Sequence, residues 1–250
     1  MNHQPSDCNA SRLDQLNIDA GALLATVERE GSLCGRFLFL NLASCAIATL
    51  GLLLNSSAVV IGAMLVAPLL SPIVRLGFAL PRNDLFGALR SLSTAAVGAV
   101  TALAVSILII RLAPAMAPTA EIMARTQPNL LDLLVAVISG LAGGYAVIRG
   151  LNGVFAGVAI ATALMPPLAS CGYGLAWGDM AIAQGAALLF VANLTAIALG
   201  VAAVAAWAGL YAPRLLPVKA LAAMAVLAAL AIPMTHTMYA HIEQQQRIQQ

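Results

Sequence analysis

The stretch NSSAVVIGAMLVAPLLSPIVRLGFAL, residues 55–80, decides the fold class. At 1.5 Å per residue it is long enough to cross a hydrocarbon core of about 30 Å. Yet Pro68 and Pro72 stand in its middle, where a helix loses an N–H donor and meets a carbonyl clash. Downstream, LNGVFAGVAIATALMPPLASCGYGLAWGD, residues 151–179, repeats the plan with Pro166 and Pro167 at matching depth. Leu54-Asn55 opens the first stretch and Leu151-Asn152 the second, and each closes on an acid, Asp84 and Asp179. Paired interrupted apolar segments in corresponding halves of a chain point to a transport site.

Composition agrees. The 250 residues are 61% hydrophobic and 9% charged, against roughly 25% charged in an ordinary soluble domain. Mean hydropathy is +0.93. That apolar surface needs a bilayer as partner, and a net charge of +2 implies no nucleic-acid partner. Cys8, Cys34, Cys45 and Cys171 form no CxxC pair, so neither a metal site nor a disulfide framework is expected. No cleavable leader is expected, because the first 35 residues hold Asp, Glu and Arg but no apolar core. Leu13, Leu16, Leu23, Leu24 and Val27 recur at roughly helical spacing there, which predicts a short amphipathic segment at the membrane surface.

Seven apolar segments follow, at about 36–54, 57–80, 88–112, 131–149, 153–176, 181–211 and 217–238. The expected fold is an all-α polytopic membrane protein with about seven transmembrane helices. These divide into two three-helix inverted repeats with proline-broken second helices, plus one extra helix. The expected organisation is a short cytoplasmic segment (1–35), repeat one (36–112), an external loop (113–130), repeat two (131–211), a final helix (217–238) and a polar tail (239–250). Lys and Arg bias orientation. Arg12, Arg29, Arg36, Arg82, Arg90, Arg149, Arg214 and Lys219 fall on one side, and Arg111, Arg125 and Arg247 on the other. This places the N-terminus in the cytoplasm and the C-terminus outside.

The runs NSSAVVIGAMLVAPLLSPI (55–73), SGLAGG (139–144) and GVAIATALMPPLASCGYGL (157–175) resemble the prokaryotic membrane family called domain of unknown function three-eight-nine. The resemblance covers about residues 36–205 and implies a multi-helix inner-membrane protein whose biochemical activity is not established.

The candidate site comes from backbone chemistry. Pro68 and Pro72 would free the carbonyls of Met64 and Pro68; Pro166 and Pro167 would free those of Thr162 and Ala163. Such carbonyls could hold a cation, while half-helices starting near Leu69 and Leu168 would aim N–H groups at an anion. Arg75 either snorkels to the cytoplasmic surface or attracts an anion. Asn193 is polar within the sixth segment and needs a partner or faces the broken fifth. Asn55, Ser56, Ser57 and Asn152 mark helix-capping turns. Gly140 and Gly144 give the spacing of close helix packing, compatible with a homo-oligomer or with contacts inside one chain.

The favoured function is a transporter or channel for a small ion or polar solute; the alternative is a non-transporting scaffold or regulatory partner. His3, His236 and His241 sit in no catalytic constellation, so no enzyme and no cofactor are expected.

Overall fold

The computed structural model describes residues 19–113, 117–151 and 164–210, with three further positions at 225, 226 and 229. Among them every regular element is a helix. Asp19 accepts from the N–H groups of Gly21 and Ala22 and starts α1 (Ala20–Glu30). Then come α2 (Gly35–Leu53), α3 (Ser57–Val66), α4 (Leu70–Arg82) and α5 (Leu85–Leu112). A four-residue α6 (Ala120–Met123) sits in the loop, followed by α7 (Leu130–Ile148), α8 (Met165–Trp177) and α9 (Met180–Trp207).

Four helices, α2, α5, α7 and α9, are long and apolar enough to cross a membrane. The pair α3–α4, bent by 56° at the break, makes a fifth if counted as one span. Much of the first half of the expected fifth segment, and nearly all of the seventh, lie outside the described residues. Large apolar side chains face outward along these helices, among them Phe39, Ile61, Val100, Leu108, Leu134, Ile138 and Val191. Such faces suit hydrocarbon, and each helix satisfies its own backbone groups.

The element bounds repeat along the chain. Helices α2 and α7 hold 19 residues each and start 95 apart (130 minus 35). Helices α4 and α8 hold 13 each, again 95 apart (165 minus 70). So do α5 and α9, with 28 each (180 minus 85). The joints match too. Asn83 and Gly178 are both left-handed, at φ 61° and 76°, and reverse the chain. Asp84 then caps α5 through Gly87 N–H at 2.8 Å, and Asp179 caps α9 through Ala181 and Ile182 at 3.1 Å. At the earlier joint Asn55 (φ 53°) corresponds to Gly150 (φ 64°).

This register corrects the one legible in the text. Aligning Asn55 with Asn152 and Pro68 with Pro166 implies shifts of 97 and 98 residues, whereas the helices are offset by 95. At the helices' offset of 95 residues, Pro72 falls on Pro167. Both are the third residue of their helices, where a backbone N–H has no intrahelical partner to lose.

Two parallel pairs carry the packing. Asn41 Nδ2 donates to the Gly98 carbonyl at 2.8 Å and Cys45 Sγ to that of Ala102 at 3.0 Å, so α2 and α5 run the same way. Gly140 lies on Ile197 and Gly144 on Val201, so α7 and α9 are parallel as well. A Cβ on Gly140 would sit 2.5 Å from the Ile197 carbonyl, which makes the glycine spacing a matter of packing within one chain. The short half-helices cross between the pairs: α4 seats Gly77 against Val201 and Ala198 of α9, and α8 seats Gly172 against Ser106 of α5. These contacts also keep the 95-residue relation, 77 to 172 and 106 to 201.

Candidate functional site

The break between α3 and α4 is the first feature to build. Ala67 is extended, and its N–H turns back to the Met64 carbonyl at 3.3 Å. Ser71 N–H likewise takes the Pro68 carbonyl at 3.2 Å. The two carbonyls that the sequence leaves free are therefore occupied by tight turns. It is the Ala63 carbonyl that passes to another helix, accepting from Ser44 Oγ of α2 at 2.7 Å. A side-chain hydroxyl thus does at the break what the next turn of helix would have done.

Ser44 belongs to a polar stripe inside an apolar helix. Asn41, Cys45 and Thr49 recur every fourth residue of α2, and all are buried. Asn41 Nδ2 bonds Gly98 and Thr101, while its Oδ1 has no hydrogen-bond partner among the described residues. Thr49 Oγ1 donates to Cys45 O at 2.8 Å. Across the bundle Ser106 Oγ donates to Ala169 O at 2.9 Å. Sequence reasoning passed over these residues, although the i, i+4, i+8 spacing of Asn41, Cys45 and Thr49 was the available signal.

The joint between α2 and α3 is held differently from expectation. Ser56 does cap α3, accepting from Val59 N–H at 3.5 Å. Asn55 and Ser57 are turned instead toward the loop: Asn55 Oδ1 accepts from Glu121 N–H at 3.1 Å, and Ser57 Oγ donates to the Glu121 carboxylate. Thr119 Oγ1 donates to the Leu52 carbonyl at 2.7 Å, and Arg125 pairs with Glu121 at 3.7 Å. The loop is thereby stapled across the α2–α3 turn. Asp132 shares a capping box with Asn129 at the start of α7, each accepting from the other's N–H at 3.0 Å.

Met64, Pro72, Pro166 and Pro167 are buried, and Pro68 is half-buried. Thr162, Ala163 and Asn152 lie outside the described residues. Asn193 is buried in α9 at the position that Gly98 holds in α5. Each half-helix packs on the third long helix of the other half, α4 on α9 and α8 on α5, so the two proline sets are carried on separate crossings. The crevice lined by Thr49, Leu52, Leu53, Ile110, Ile122, Ala169 and Tyr173 is too narrow to admit a water molecule.

Arg75 does not snorkel. It is 7% exposed, covered by the turn joining α1 to α2, and its Nη1 donates to the Gly31 carbonyl at 3.4 Å. Among the described residues its Nε is buried without a partner and no carboxylate lies within 4 Å. A guanidinium out of water with one long hydrogen bond is an expensive arrangement. Its counterpart in α8 is Ser170 (95 residues on), fully buried, whose Oγ also lacks a partner among the described residues. Equivalent positions in the two half-helices therefore each bury an unsatisfied polar atom.

Comparison with known proteins adds a family without a function. The chain is 28% identical over 154 residues to the uncharacterized protein MJ0678 of Methanocaldococcus jannaschii, an alignment covering 62% of this chain and 48% of that protein. The chain thus spans about half the length of that relative. No solved structure matches. Residues 64–199, more than half of the chain, match the model of the family described as a domain of unknown function, DUF389, and the chain belongs to that family.

Proposed function

We propose that this protein is a multi-pass protein of a prokaryotic cytoplasmic membrane, and a transporter or channel for a small ion or polar solute. Residues 35–112 and 130–207 form two inverted repeats, with the N-terminus in the cytoplasm. The observation that carries the reading is the 95-residue correspondence of three helices, with a short half-helix second in each set. Contacts support the inversion. The C-terminal part of α8 lies by the C-terminal ends of α2 and α5, where Tyr173 lines one crevice with Leu53 and Ile110. Its equivalent α4 lies instead by Gly31, just before the N-terminal end of α2. Equivalent half-helices thus point to opposite ends of the bundle, the plan of transporters whose halves rock about a site at mid-depth.

A non-transporting partner protein is the second reading, favoured by the closed crevice at Thr49 and Ala169. Flux from proteoliposomes separates the two. We expect selective release of an ion or small solute by the purified chain, reduced in a P166A/P167A variant that still elutes as a folded protein. No flux across a broad ion panel would overturn the transport reading and leave the partner reading.

A further inference from the structure

The Arg75 guanidinium has a used edge and an unused one. Nη1 is spent on Gly31 O, whereas Nε and Nη2 have no hydrogen-bond partner among the described residues. Those two atoms form the side-on fork that matches two oxygens of a planar or tetrahedral oxoanion. Gly31 packs closely on the alkyl stem that carries this fork: a Cβ there would lie 2.8 Å from both Cβ and Cδ of Arg75. Around it, Arg29 ends α1, Arg36 begins α2, Arg82 ends α4 and Arg90 stands near the start of α5. At that end the described carboxylates are Asp19, which caps α1, Glu28 and Glu30, all exposed, and Asp84, which caps α5. Among the described residues Arg29, Arg36, Arg75, Arg82 and Arg90 thus outnumber Asp19, Glu28, Glu30 and Asp84, and a net positive field draws anions inward.

We propose that Arg75 binds a small oxoanion, a carboxylate or a phosphate group, on its Nε–Nη2 edge beneath the α1–α2 turn. This gives the class of solute for the conduction path proposed above and rests on that reading for its role in transport; the binding does not.

The test uses the full chain in phospholipid-free maltoside, titrated with inorganic phosphate or acetate against chloride at equal ionic strength. We expect a saturable rise in thermal midpoint with an oxoanion, and slower backbone hydrogen exchange confined to residues 27–36 and 70–76. R75K, which keeps charge but loses the fork, should weaken the effect about tenfold, and R75Q should remove it. No saturable effect of either oxoanion or of the phosphatidylglycerol headgroup on the folded protein overturns the proposal, as does an undiminished effect in R75K. If R75Q does not fold, the wild-type exchange pattern decides, and protection elsewhere overturns the site. In a parallel arm phosphatidylglycerol is added in the same detergent. Protection at the same residues by this lipid alone assigns the phosphate to a headgroup and supports the site. Oxoanion binding without flux would leave this inference standing and remove the conduction reading; cation flux without oxoanion binding would do the reverse.

Discussion

Single side chains settle how a broken helix is tolerated here. The hydroxyl of Ser44 takes the one carbonyl of α3 that the turn at Ala67 abandons. Removing it leaves a buried acceptor without its donor, which costs about 1–3 kcal/mol in water-soluble proteins and nearer 1 kcal/mol between membrane helices. S44A should therefore lower unfolding stability by about 1 kcal/mol in a reversible detergent titration. S93A is the control, since Ser93 is exposed and bonds only the Leu89 carbonyl of its own helix. Equal stability of S44A and S93A would show that the Ala63 carbonyl does not need Ser44. Ser44 is one hydroxyl among many in the text; what distinguishes it is its neighbour 19 positions away, and no local pattern encodes that.

At the scale of elements, Pro72, Pro166 and Pro167 start helices rather than kink them. Pro72 and Pro167 are each third in their helices, and Pro166 is second in α8. The N–H that proline lacks would have been an orphan at these positions anyway. P167A should therefore change stability by less than about 1 kcal/mol, whereas relief of a true mid-helix kink would be worth about 3 kcal/mol. The comparison is a thermal or detergent unfolding series of P167A against wild type, and a gain near the larger figure would restore the kink. The apolar segments and their proline interruptions were plain in the sequence, and four expected segments coincide with α2, α5, α7 and α9 within a few residues. The expected free carbonyls were not, because adjacent turns can absorb them and only backbone geometry shows that they do.

For the whole molecule, the proposed inverted arrangement makes a sharp prediction. Leu85 and Met180 are the first residues of α5 and α9, 95 apart, and both side chains are exposed. In a background with the native cysteines replaced, Cys34 among them because it is exposed, L85C and M180C should react with a membrane-impermeant thiol reagent from opposite sides. Labelling of both from one side would sink the inverted repeats. The clustering of arginines at the Arg75 end sets the expected sense, with L85C on the cytoplasmic face.

Hydropathy, proline placement and the paucity of charge are local and compositional, so the sequence by itself determined an apolar helical chain and the approximate bounds of its four long membrane-length helices. It could not determine the register of the proposed halves. Asn and Pro identities suggested shifts of 97 and 98, but equivalence is carried by left-handed joints at Asn83 and Gly178, caps at Asp84 and Asp179, and first-turn prolines. Nor could it place Arg75. Five residues from the end of an apolar run, an arginine reads as able to reach water; only the fold brings Gly31 over it and buries the guanidinium. Burial of one side chain depends on a backbone 44 positions away, and that contact exists only once the chain has packed.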